Sequence, residues 1–184
     1  MPSASTEIEI KLPYDSAERA RDAVVRLGAH VARERHFEDN ILFDRKHEPL
    51  AQRGKLLRLR RVGDAALLTY KAPTARDSKY KVRLEHESEV GDPNAVVQML
   101  EGLGFAPCYR YQKYRTVFEL DGLDLCLDET PIGCFVELEG TPEAIDRTAA
   151  LLGFGEDDYI RQSYRELHVL AAGRRGRPPG DMVF

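Results

Sequence analysis

The chain has 184 residues, 42% of them hydrophobic and 32% charged, which suits one globular domain with a substantial core and excludes a disordered chain. Its 27 basic and 31 acidic residues leave a net charge of -4, which excludes a general nucleic-acid coat, so DNA is not an expected partner. Cys108, Cys126 and Cys134 have no CxxC spacing and read as reduced, mostly buried thiols of a cytoplasmic protein; no apolar run is long enough to span a membrane, and Met1 to Thr6 lacks the features of a signal peptide.

Alternation of apolar and polar residues predicts a first strand at about residues 7–12, followed by a helix at 16–28 that Asp15 or Ser16 can cap and that ends at Leu27-Gly28. Strand alternation returns at 40–44, 56–62, 66–71 and 80–89. Asp92-Pro93 then opens a helix at 93–103, ending at Leu103-Gly104, with Val96, Val97, Leu100 and Leu103 on one face. Strands follow at 113–120, 123–128 and 134–139, then a helix at 142–152 opened by Thr141-Pro142 and closed by Leu152-Gly153, and a last helix at 160–171. A Glu-x-Glu strand leading into a helix that ends in Leu-Gly recurs at 7–28, 85–104 and 137–153, a repeated unit inside one domain, without the period of a solenoid. The domain is expected to occupy 1–172. Gly173 to Phe184, rich in Gly, Arg and Pro, reads as a disordered basic tail.

The strands carry charge on one face and apolar residues on the other. Glu7, Glu9 and Lys11 share a face, opposite Ile8, Ile10 and Leu12. The pattern returns in Arg58 and Arg60, in Thr69 and Lys71, in Lys81, Arg83, Glu85, Glu87 and Glu89, in Lys113 and Arg115, in Asp124, Cys126 and Asp128, and in Glu137 and Glu139. The fold class is α+β, an antiparallel sheet under helices. Helices with apolar stripes need an apolar surface to cover, so a closed barrel with its charged face inward fits best. Like charges side by side need something of opposite sign between them. Magnesium or manganese suits clustered carboxylates, and phosphate oxygens suit the Lys and Arg set. The five histidines show no ligand spacing, Ser163-Tyr164 lacks a nucleophile-elbow context, and there is no Walker-type glycine loop. Bound phosphate would therefore be held by side chains.

Taken in order, Glu7-x-Glu9-x-Lys11, Arg58-Leu59-Arg60, Leu68-Thr69-Tyr70-Lys71-Ala72-Pro73, Arg83-Leu84-Glu85-His86-Glu87, Lys113-Tyr114-Arg115, Leu127-Asp128 and Gly133-Cys134-Phe135-Val136-Glu137-Leu138-Glu139 resemble the CYTH superfamily, the triphosphate tunnel metalloenzymes. The resemblance covers roughly residues 7–170, and Thr69 to Pro73 with Ser163-Tyr164 look most like its class IV adenylyl cyclase branch. It implies a closed antiparallel barrel of about eight strands around a triphosphate-binding tunnel. By position, Glu7, Glu9, Asp128, Glu137 and Glu139 look like metal carboxylates for Mg²⁺ or Mn²⁺. Lys11, Arg58, Arg60, Lys71, Arg83, Lys113 and Arg115 look like a triphosphate clamp. Lys11, Glu9, Glu85 and Asp128 look like the catalytic set. One segment, Glu38 to Asp44, departs from the Gln-x-Asp-x-Tyr-Phe pattern of many cyclase-like members.

The expected function is divalent-metal-dependent cleavage of a triphosphate, with adenylyl cyclase chemistry (ATP to cyclic AMP and pyrophosphate) ahead of hydrolysis of tripolyphosphate, thiamine triphosphate or a nucleoside triphosphate. A non-catalytic polyphosphate- or nucleotide-binding module is the alternative from another class. The expected partner is the small-molecule triphosphate, and a homodimer is compatible with a barrel of this size, although no residue specifies an interface.

Overall fold

The computed structural model describes residues 5–74, 78–174, 176, 178 and 180–184. The chain forms β1 (Ser5–Tyr14), α1 (Ala17–Arg26), β2 (His30–Arg45), β3 (Leu56–Val62), β4 (Ala65–Pro73), β5 (Lys81–Glu89), α2 (Pro93–Gly102), β6 (Phe105–Leu120), β7 (Leu123–Thr130), β8 (Gly133–Glu139), α3 (Pro142–Leu151) and α4 (Tyr164–Arg174). The strands close into an antiparallel barrel in the order β1-β5-β4-β3-β2-β6-β7-β8. The expected α+β barrel is thus the observed fold. No described helix is long and apolar enough to cross a membrane.

Local chemistry explains the helix boundaries. Ser16, Asp92 and Thr141 cap α1, α2 and α3 by accepting from backbone N–H groups of the first turn. Each helix stops at a leucine followed by glycine, and Gly28 has φ of 87°, a left-handed geometry that favours glycine. α4 begins at Tyr164, not at 160, because Ser163 and Glu166 exchange hydrogen bonds in a capping box.

The apolar faces of the strands point outward, under the helices. Ile10, Leu12, Phe118, Leu125, Val136 and Leu138 pack beneath Ala20 and Val24 of α1 and Ile145 and Ala149 of α3. α2 covers a second patch, where Leu100 meets Phe43, Leu59 and Ala66. Turning the apolar faces outward leaves the charged faces only the lumen.

The staves do not pair along their whole length. β5 pairs with β1 over Ser5 to Glu9, and β7 meets β6 only from Tyr114 onward. C-terminal segments fill both gaps. Ile160 exchanges backbone hydrogen bonds with Lys11, each 3.0 Å. Met182 exchanges them with Arg110 and Gln112 of β6, and its side chain is buried among Tyr109, Tyr111 and Tyr164. The disordered tail expected over 173–184 therefore does not describe Asp181 to Phe184, which are docked on the barrel; Arg175, Arg177 and Pro179 of that tail lie outside the described residues, as do 1–4 and 75–77. Cys108 is exposed instead of buried, and all three cysteines are free thiols.

Met182 is 1% exposed. Met182→Ala is expected to destabilise the protein by about 2–3 kcal/mol, read as a lower denaturant midpoint at unchanged slope.

Candidate active site

Antiparallel register decides which side chains meet, because residues opposite each other share a face. Glu9 lies opposite Lys81 on one side and Glu139 on the other, and Lys11 opposite Glu137. Arg58 faces Thr69, Lys71 faces Glu85, and Arg115 faces Asp128. These pairings enclose a cavity of about 1040 Å³. Lys11, Arg58, Arg60, Lys71, Arg83, Lys113 and Arg115 all line it, and so do Glu7, Glu9, Glu85, Glu137 and Glu139. The residues expected from sequence to hold phosphate and metal are therefore brought together on one surface, with one exception. Asp128 is fully buried and sits behind the lining.

One sector, on β1, β4, β5 and β8, is acidic. Lys71 lies 2.5 Å from Glu7 and 3.1 Å from Glu85. Lys81 lies 2.5 Å from Glu9, and Lys11 is 3.0 Å from Glu9 and 3.2 Å from Glu137. Burial opposes charge on Glu9, yet Lys11, Lys81 and Lys71 together hold its carboxyl well below the usual range. The same balance, with Lys11 and Arg115 as partners, holds Glu137 low. Burial works against the Lys11 ammonium, but Glu137 and Glu9 raise its pKa, so Lys11 stays charged. Glu139 makes no ion pair among the described residues, and the more distant Lys71 only partly offsets its surroundings. Burial and then repulsion from Glu7 and Glu9 push its pKa up to about 7. Glu7 is raised for the same reasons, burial first and Glu9 second.

The facing sector is cationic. Asp128 takes hydrogen bonds from Lys113 at 2.9 Å, from Arg115 on both carboxylate oxygens at 2.6 and 2.5 Å, and from the Tyr164 hydroxyl at 2.7 Å. Both oxygens are engaged, which suits an anchor for the two cations better than a metal ligand. The Tyr164 ring also lies 5.3 Å from the Lys11 ammonium and 5.4 Å from that of Lys113. Glu87 holds Arg60 at 3.0 Å and Arg58 at 3.5 Å. Arg83 lines the cavity and makes no ion pair among the described residues.

Sequence reasoning missed Glu38, Asn40, Tyr111 and Tyr164 as working parts of this wall. Glu38 lies 3.4 Å from Arg60 and 3.6 Å from Lys113, with His36 at 3.5 Å. The signal was the alternation of His36, Glu38 and Asn40, which extends the strand expected at 40–44 backwards.

Glu7, Glu9 and Glu139 offer hard oxygen donors of the kind magnesium and manganese take. Burial first and their mutual repulsion second raise Glu7 and Glu139, and a divalent cation would relieve that repulsion. Among the described residues no three such side chains already converge in metal-ligand geometry. It is the chemistry of these donors that suits such an ion.

The CYTH domain family model matches residues 5–164. A protein of Methanocaldococcus jannaschii, provisionally named an adenylate cyclase, is 26% identical over 175 residues, covering 89% of this chain and 99% of its own. A solved structure from Pyrococcus horikoshii OT3 is 27% identical with a TM-score of 0.76, covering 90% of this chain and 99% of its own. A structure from Hippeastrum, provisionally an adenylyl cyclase and described as having a dominant triphosphatase activity, shares the fold at 22% identity, with a TM-score of 0.60 and coverage of 95% and 97%.

Between about pH 4.5 and 7 the folded protein holds a proton on Glu139 that the unfolded chain releases. The stability this contributes is fully present below the lower value and lost as pH rises through the upper one. For metal-free protein, Glu139→Gln is therefore expected to stabilise more at pH 8 than at pH 5, by on the order of 1–3 kcal/mol in chemical denaturation. An equal effect at both pH values would show that Glu139 titrates normally.

Proposed function

Since the chain belongs to the CYTH domain family, we propose that its tunnel cleaves a triphosphate in the presence of a divalent metal ion, with adenylyl cyclase chemistry as the leading reading. The observation that carries this is the lumen itself: Lys11, Arg58, Arg60, Lys71, Arg83, Lys113 and Arg115 line one cavity together with Glu7, Glu9, Glu137 and Glu139. The relative from M. jannaschii supports the cyclase branch.

In the cyclase reaction a ribose 3′-hydroxyl attacks the α-phosphorus. A new P–O bond closes the ring, the bond to the β-phosphate oxygen breaks, and pyrophosphate leaves. The cations hold the chain of phosphates extended and offset the charge that builds on the leaving oxygens. Lys11 acts as a fixed positive charge, since Glu137 and Glu9 keep it protonated. Arg58 and Arg115 add planar, multiply donating contacts. Asp128 contributes by aiming Lys113 and Arg115, and Tyr164 holds Asp128 and lies beside Lys11 and Lys113. Glu9 and Glu85 sit beside the lysines of the acidic sector, where a carboxylate can orient the attacking hydroxyl. Glu7, Glu9, Glu137 and Glu139 would hold Mg²⁺ or Mn²⁺, which supplies Lewis-acid stabilisation of the phosphoryl oxygens when bound.

Triphosphatase activity is the second reading. Its substrate contacts are phosphate contacts alone, and the clamp provides these without any organic-group site. The same cations would then hold the terminal phosphate for attack by water.

Chromatography of products formed from ATP with Mg²⁺ or Mn²⁺ decides between the two readings. Cyclic AMP with pyrophosphate is expected; ADP with phosphate would transfer the assignment to hydrolysis. Lys11→Ala is expected to lower kcat/KM by about 10²-fold or more. Absence of any product from ATP and from tripolyphosphate, with the protein folded, would overturn the enzyme reading.

A further inference from the structure

Asn40 of β2 is 0% exposed, and neither its amide oxygen nor its amide nitrogen has a hydrogen-bond partner among the described residues. Register places it opposite Arg60 of β3 and Tyr111 of β6. Both of those line the cavity, so Asn40 faces the lumen from just behind its wall. Buried polar groups are paired in the great majority of cases, and each one left unpaired costs about 1–3 kcal/mol. A leucine at this position would carry no such cost. The unpaired amide points to a partner that arrives with a ligand.

The neighbouring neutral groups are already engaged. The Tyr111 hydroxyl accepts from Arg58, and the Thr69 hydroxyl accepts from Arg58 and donates to Glu87. Phosphate oxygens have abundant donors in the clamp. They are acceptors only, and the Asn40 carbonyl would repel them. What Asn40 adds is one N–H donor beside one C=O acceptor, which suits a ligand edge with an acceptor beside a donor. The amino group and N7 of adenine form such an edge.

The wall around Asn40 suits a planar ring. Leu42, two residues along on the same face, packs with Tyr109 and Tyr111, and Leu56 packs against that cluster. Arg60, across from Asn40, is held by Glu87 at 3.0 Å and by Glu38 through a longer hydrogen bond of 3.4 Å. Because Asn40 is fully buried, a ligand reaches its amide only when this part of the wall shifts on binding.

We propose that Asn40 reads the amino–imine edge of a nucleobase seated against Leu42 and Tyr111. This rests on the triphosphate reading and narrows it to an adenine nucleotide.

The test is equilibrium binding of ATP, inosine triphosphate and tripolyphosphate to the full chain, with Ca²⁺ in place of Mg²⁺ to slow turnover. Inosine triphosphate keeps the sugar and phosphates but replaces the amino donor with an oxygen, so that the edge beside N7 presents two acceptors. The wild-type protein is expected to favour ATP over inosine triphosphate by about tenfold or more. In Asn40→Leu this preference should fall to within about twofold, while the thermal midpoint stays level or rises. Asn40→Ala provides the same comparison if the leucine variant fails to fold. An unchanged preference, or equal weakening of all three ligands, would refute a base contact. Wild-type binding of tripolyphosphate without ATP would defeat this inference and leave the tunnel reading standing; binding of neither would defeat both.

Discussion

Charge compensation inside a closed lumen is the constraint on which the rest of the structure depends. An isolated buried ion is too costly to keep, so each charge must be paired or neutralised. The protein meets this with ion pairs across the staves: Lys71 with Glu7 and Glu85, Lys11 with Glu9 and Glu137, Lys113 and Arg115 with Asp128. Phosphate and metal are each other's counter-charges. On the proposed function, the cations would exchange carboxylates for phosphate and the carboxylates would exchange cations for metal as both enter. The lumen would remain compensated throughout. Most of the cations are held in position before the substrate arrives, so little reorganisation is left for the reaction.

The barrel serves this site by its polarity. Helices α1, α2 and α3 bury the outer apolar faces, which frees the inner faces to be charged. The C-terminal part of the chain then couples closure to chemistry. Ile160 fastens α4's lead-in to the backbone of Lys11, which brings Tyr164 against Lys11, Lys113 and Asp128. Met182 packs behind Tyr109, Tyr111 and Tyr164. The segment that fills the gap between β6 and β7 therefore also backs the wall that carries Arg58's partner, Tyr111.

The parts legible in the sequence were those encoded locally. Period-two alternation located β3 and β7 almost to the residue, and Ser16, Asp92, Thr141 and the Leu-Gly pairs located three helices, because caps and pleats depend on near neighbours. The first halves of β2 and β6 were not legible. From His30 to Arg35 the chain is exposed on both faces, and the β2–β6 register shifts twice there, so no clean alternation develops. The roles of Glu38, Asn40 and Tyr111 went unseen because the expected strands began at 40 and at 113, which cut off the face that His36, Glu38 and Asn40 share and left Tyr111 outside a strand. Asp128 was legible as a charged lumen residue but not as an anchor, because its partners come from β6 and α4. The docking of Met182 depends on a gap between strands that only the assembled barrel creates.

The partner exchange makes a prediction that simple removal of a metal ligand would not. Glu9→Gln takes away the carboxylate that holds Lys11 and Lys81 in the lumen. Calorimetric titration of tripolyphosphate into wild-type protein and Glu9→Gln, each with EDTA and with Mg²⁺, measures the consequence. Tighter metal-free binding by the variant, together with loss of the gain that Mg²⁺ gives the wild type, is the predicted result. Metal-free binding by Glu9→Gln that is weaker than or equal to the wild type would contradict the exchange of partners at the centre of the site.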